Sequence, residues 1–265
     1  MEDVITDLPP PSRFFLDDLN NFAPPPTTLP SPFLVFSTPK PNKPLCPSLL
    51  IFALSSPSLN FLHHLPSKVL IGTLVLPEIP FSGISLEPSL TDKSCNIYSI
   101  NNAGKMIIIV SVQYAVAAER THAVAKMLIG KHIIPERVLI LDSLQSRNFR
   151  GKLPPDETFA LKLETSMERK LPEDDPEESQ LLKSVGYFPS GSVVDGLAAA
   201  LLSRCEMEKL KGTLSVSWPE SGGSVTSLVR SLLLKDVLPG LELSIKSDDE
   251  DKYMRSGVLD LDIYT

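Results

Sequence analysis

Cysteine pairs, long apolar runs and a basic surplus are all missing from this chain. It has three cysteines, Cys46, Cys95 and Cys205, with no C-x-x-C spacing among them. That excludes a paired redox motif and a zinc ribbon, and an odd count leaves no complete disulfide framework. Buried thiols in a reducing compartment fit this usage. Histidine is equally sparse. His63 and His64 are adjacent and so diverge by about 100° on a helix, while His122 and His132 stand alone, so no metal-ligand spacing is present. No stretch approaches the roughly 20 apolar residues of a membrane span. The acidic opening Met1-Glu2-Asp3 is not followed by the apolar core of a signal peptide. A net charge of -7 disfavours a nucleic-acid backbone as partner and suits a basic protein surface. The expectation is a protein that binds neither nucleic acid nor membrane.

What is present is unevenly distributed. Thirteen of the 25 prolines fall in the first 57 residues, with runs at 9–11 and 24–26. Proline donates no backbone hydrogen bond, so residues 1–31 read as an irregular arm, punctuated by Phe14, Phe15, Leu16 and Phe22. Those four side chains could anchor the arm to the body or to a partner. Residues 32–246 read as a folded body. Strands are predicted at 32–36, 48–54, 68–76, 95–100, 105–112, 137–141 and 213–218, with helices from Ser56-Pro57, over 116–129, over 192–206 and over 224–237. Asn101-Asn102-Ala103-Gly104 marks a hairpin. On the helix at 116–129, Val116, Val124, Met127 and Leu128 form the inner side, and Glu119, Arg120 and Lys126 the outer. Alternating strands and helices predict an α/β, three-layer body with a largely parallel central sheet. Beyond Asp248-Asp249-Glu250-Asp251, residues 247–265 read as an acidic linker and flexible docking tail, able to extend at most roughly 60 Å.

Few residues suggest bond-making chemistry. Glu220-Ser221-Gly222-Gly223-Ser224 joins a strand to a helix, a place where backbone amides can hold phosphate. The Walker lysine and the G-x-G-x-x-G spacing are both missing, and a plain turn with a serine N-cap accounts for the same residues. Ser190-Gly191-Ser192 reads the same way. Asp142 follows a strand and could be a catalytic carboxylate or a loop-start aspartate. No G-x-S-x-G elbow and no nucleophile with an identifiable base are present. No cofactor, metal or catalytic residue is expected.

The last three residues carry a different chemistry. In Ile263-Tyr264-Thr265 an apolar side chain and a rigid amphipathic ring precede a terminal carboxylate. Ile263 would fill an apolar slot, Tyr264 would stack and offer its hydroxyl, and the carboxylate would pair with a lysine in a receiving cleft. The alternative is a last strand whose tyrosine packs on the body, since residues 258–263 partly alternate.

Asp195 to Pro219, DGLAAALLSRCEMEKLKGTLSVSWP, is similar to the late helix-and-strand segment of the proteasome assembly chaperone 1 family, and Ile263-Tyr264-Thr265 resembles that family's ending. The proline-rich arm looks more like a plant-type relative. The resemblance implies a body similar to the nucleoside phosphorylase-like fold but without catalysis. It implies a heterodimer with proteasome assembly chaperone 2 that docks on the α-subunits of the 20S proteasome and promotes α-ring formation. It implies a cytoplasmic location, with the nucleus as a second site. Carried over by position, Ile263, Tyr264 and Thr265 are the partner-binding residues. A heterodimer would also need an exposed apolar face on the body. The competing expectations are a general proteasome-binding adaptor and a nucleoside phosphorylase-like enzyme.

Overall fold

A computed structural model describes residues 30–37, 44–79, 89–171 and 180–241. All but the last two residues of the predicted arm 1–31, residues 38–43, 80–88, 172–179 and 242–246, and the whole of the predicted tail 247–265 lie outside the described residues. Among the described residues the body has nine strands: β1 (Phe33–Phe36), β2 (Leu49–Ala53), β3 (Val69–Val75), β4 (Cys95–Asn102), β5 (Lys105–Val112), β6 (Arg137–Ser143), β7 (Phe159–Glu164), β8 (Gly186–Tyr187) and β9 (Lys211–Trp218). Its helices are α1 (Ser56–His63), α2 (Ala118–Leu128), the short α3 (Ser166–Arg169), α4 (Gly196–Met207) and α5 (Gly223–Leu232), with a π turn at Leu233–Val237.

The strands form one sheet in the order β1-β3-β4-β5-β2-β6-β9-β7-β8. Its centre is parallel, as β5, β2, β6 and β9 show. The flanks correct the expectation of a largely parallel sheet: β1-β3, β3-β4, β4-β5 and β7-β9 are antiparallel. For β4 and β5 the cause is connection length. β4 and β5 are joined through Ala103-Gly104, with Gly104 at φ 79°, and so tight a turn can only return the chain antiparallel.

Side chains of β2 divide strictly by parity, as the pleat requires. Leu50 and Phe52 enter one core, and Leu49, Ile51 and Ala53 the other. The first core is covered by α2 and α4 through Val124, Leu128, Ala198 and Leu201. The second is covered by α1 and α5 through Phe61, Leu62, Val225 and Val229. The sheet therefore lies between two helical layers.

Local chemistry sets the helix ends. Pro57 stands in the first turn of α1, where its missing N–H costs nothing. Lys68 closes the other end, its Nζ donating to Leu62 O at 3.0 Å and to His63 O. Gly130, at φ 139°, stands just past the end of α2, where a positive φ favours glycine. Ser192 is not the cap of α4. That helix starts at Gly196, and Ser192 Oγ instead accepts from Arg150 N at 2.8 Å. Arg120 is not on the outer side of α2 either. It is buried, and its Nε and Nη2 donate to Glu78 Oε1 and Oε2 at 2.7 and 3.0 Å. A guanidinium can enter an apolar layer when a carboxylate meets it fork to fork.

Candidate functional site

The carboxyl ends of β6 and β9 lie side by side, Asp142 opposite Val216 and Ser143 opposite Ser217. A crevice lined by Asp142, Leu144, Asn148, Phe188, Val194 and Asp195 opens there and holds about 20 Å³. That is room for about one water, far below the roughly 300–1,000 Å³ of small-molecule sites. The Asp142 carboxyl is pushed up to about 6, chiefly by burial. Its hydrogen bond from Ser143 N, at 2.8 Å, opposes the shift, and the charges of Asp195 and Glu220 add to it.

A carboxyl whose folded pKa exceeds its unfolded value binds its proton more tightly in the native state. Stability then falls as pH rises from about 4 to about 6. Asp142→Asn removes the strained charge and keeps an oxygen for Ser143 N. It is expected to stabilise the protein at pH 7 by about 1–2 kcal/mol and to have little effect at pH 4. Urea denaturation of both proteins across that range checks this; a difference independent of pH refutes it.

The glycine turn lies close by. α5 begins at Gly223, with Gly222 at φ 127° in the N-cap position, so Ser224 is not the cap. Ser224 Oγ instead accepts from Thr158 Oγ1 at 3.0 Å, and Thr226 Oγ1 donates back to Gly222 O at 2.9 Å. The carboxylates that raise Asp142 also make this strand end unfavourable for phosphate.

The other sequence candidates do not converge. His63 and His64 stack edge to face with ring centroids 5.3 Å apart, and His132 lies against Phe36. Among the described residues no cluster of three or more His, Cys, Asp or Glu is placed to hold a metal. No described helix is long and apolar enough to cross a membrane. Cys95 and Cys205 are buried, and burial pushes both thiols up to about 12. Cys46 is exposed, against the expectation of buried thiols. Ile263, Tyr264 and Thr265 lie outside the described residues, which end three positions after the fully buried Leu238.

Two buried ionic clusters escaped the sequence reading. Lys162 Nζ stands 2.7 Å from Glu164 Oε1, while Tyr187 Oη donates to Glu164 Oε2 at 2.8 Å. Arg137 grips Glu168 with Nε to Oε2 at 2.9 Å and Nη2 to Oε1. Both clusters hold the segment around Leu181, because Leu181 O accepts from Lys162 Nζ and Leu181 N donates to Glu168 Oε1. They serve as clamps on that segment.

No protein-family model matches the chain, and no curated protein matches its sequence. Solved structures do. Pyrococcus furiosus PbaA, an archaeal homolog of proteasome-assembly chaperone, superposes with a TM-score of 0.61 at 20% identity, covering 86% of this chain and 90% of its own. This chain has the fold of the archaeal proteasome-assembly chaperone homologues. Pyrococcus furiosus PbaB, an archaeal proteasome activator, follows with a TM-score of 0.58 at 16% identity, over 86% of this chain and 97% of that one. A Thermoplasma acidophilum protein of unknown function gives 0.52 at 14% identity, over 81% of this chain and 84% of that one.

Proposed function

We propose that this chain is a non-enzymatic chaperone of 20S proteasome assembly. It pairs with proteasome assembly chaperone 2, promotes α-ring formation and docks Ile263, Tyr264 and Thr265 between α-subunits. It works in the cytoplasm and also in the nucleus. The observation that carries this reading is the likeness of fold to PbaA over nine tenths of that protein, in a chain that ends hydrophobic-Tyr-X. The resemblance of residues 195–219 to the chaperone 1 family agrees with it. The crevice at the strand ends supports the non-enzymatic part: it is small and its charged lining is Asp142 and Asp195, where a phosphorylase would need space and positive potential.

PbaB, an archaeal proteasome activator, favours a second reading. In it the chain is an adaptor on finished proteasomes. Isolating the tagged full chain from cells separates the two. Free α-subunits, half-built rings and chaperone 2 are expected to co-purify. Recovery of only mature proteasomes would overturn the assembly role in favour of the adaptor.

A further inference from the structure

The two buried carboxylates beside Leu181 are not equally satisfied. Glu168 accepts from Arg137 Nε, Arg137 Nη2 and Leu181 N. Glu164 accepts from Tyr187 Oη at its Oε2, but its Oε1 accepts no hydrogen bond: Lys162 Nζ stands 2.7 Å away as a charge, outside hydrogen-bonding geometry. The Thr213 hydroxyl is also without a hydrogen bond, in a residue that is fully buried. Buried polar groups are nearly always paired, so an unused acceptor and an unused donor require a reason.

Register places the two together. Glu164 lies opposite Thr213 of β9, and Lys162 opposite Tyr187 of β8. Cross-strand partners share a face, as do residues two apart on one strand, so all four side chains point to one side of the sheet. It is the side of the second core, since Ala160 packs there. The next pair along carries the ladder bond, Thr165 N to Gly212 O at 2.9 Å, which makes Glu164 and Thr213 the closer kind of antiparallel pair. Cβ atoms in such pairs are about 4.5–5.5 Å apart, within reach of a hydroxyl donating to a carboxylate.

Tyr187 is the removable member of the cluster. It is 54% exposed, against 2% for Lys162 and 6% for Glu164. Its ring lies over Lys162 Nζ at 5.0 Å from the centroid, and its hydroxyl reaches inward to Glu164. β8 is two residues long and, among the described residues, pairs with β7 alone. A tyrosine that leaves Glu164 for water keeps its hydroxyl hydrogen-bonded, and Glu164 then takes Thr213 in exchange. The hydrogen bond lost on opening is replaced by one that only the open arrangement makes, which brings the two arrangements close in free energy.

We propose that Tyr187 and Thr213 alternate as the donor to Glu164, which makes β8 a strap with two settings. With Tyr187 on Glu164 the ring covers the ion pair and the strap is fastened. With Thr213 on Glu164 the ring is released to solvent and β8 keeps its backbone bonds alone. The ends of the strap are fixed. Glu168 holds Leu181 before it, and Phe188, packed against Phe149 in the first core, holds it from behind.

Phe188 N donates to Lys162 O at 2.8 Å and so reports the strap. Its hydrogen exchange is followed by NMR on the full chain, with the amides of Leu139 and Ile140 in the central strand β6 as the reference for global unfolding. Thr213→Val removes the alternative donor at nearly constant volume and is expected to slow exchange at Phe188 about tenfold. Tyr187→Phe removes the fastened bond and is expected to speed it about tenfold. Without the tyrosine hydroxyl Thr213 serves Glu164 in both settings, so adding Thr213→Val to Tyr187→Phe should change the rate less than about twofold. Thr213→Ser keeps a hydroxyl and should exchange like the parent. Should the valine variant not fold, Thr213→Ala gives the same comparison. Unchanged or faster exchange on loss of the Thr213 hydroxyl overturns the proposal. Equal slowing with and without the Tyr187 hydroxyl also overturns it, because Thr213 would then act through packing alone.

Discussion

Removing Ile263-Tyr264-Thr265 weakens binding to assembled α-rings at least 100-fold and leaves the melting temperature unchanged. Burying Ile263 contributes about 1.5–3 kcal/mol. An anchoring tyrosine at the centre of a contact is worth about 2 kcal/mol or more. The terminal carboxylate adds a charge-assisted hydrogen bond of about 1.5–3 kcal/mol. These values do not sum, but half of their total, about 2.5–4 kcal/mol, is on the scale of the 2.8 kcal/mol or so that corresponds to a hundredfold change in affinity. Tyr264→Ala should cost about tenfold or more, and amidating the terminus a similar factor. Surface-immobilised α-rings and purified heterodimer give the measurement. Undiminished binding by the deletion variant rules out tail docking.

Glu168→Ala acts on the body. Glu168 is fully buried, accepts two hydrogen bonds from Arg137 and takes a third from Leu181 N. Its removal takes the facing carboxylate from the Arg137 guanidinium and the acceptor from the Leu181 N–H. Breaking a buried pair in this way costs about 3–5 kcal/mol, a large share of the 5–15 kcal/mol that holds a typical domain together. Glu168→Gln retains an oxygen for Leu181 N and should lose less. Chemical denaturation decides it, and a loss below about 1 kcal/mol for the alanine variant would mean that water replaces the carboxylate.

The sequence pattern was most legible where one rule governed a segment. β2 and β5 are apolar on both faces, as expected of buried central strands, and the β4–β5 hairpin follows from its turn residues. β7 was missed because its inward positions carry Lys162 and Glu164, which alternation assigns to solvent. Arg120 was misplaced on α2 for the same reason. Arg120 is neutralised by Glu78, far away in sequence and outside any local window, whereas Lys162 and Glu164 share one face of β7 and neutralise each other there. The acidic strand end was also hidden, since Asp142, Asp195 and Glu220 belong to three separate parts of the chain. The tail reading stands on sequence alone, since its chemistry needs nothing from the rest of the fold and its residues lie outside the described ones.

The position of β9 bears on synthesis. Among the described residues it is the last strand in the chain, yet it lies between β6 and β7, which precede it by roughly fifty to seventy residues. A nascent chain lacking it presents two open strand edges facing a gap, the arrangement most prone to pair with a neighbour. The body therefore cannot close progressively from its amino end. It must wait, vulnerable on the ribosome, for its final strand to arrive.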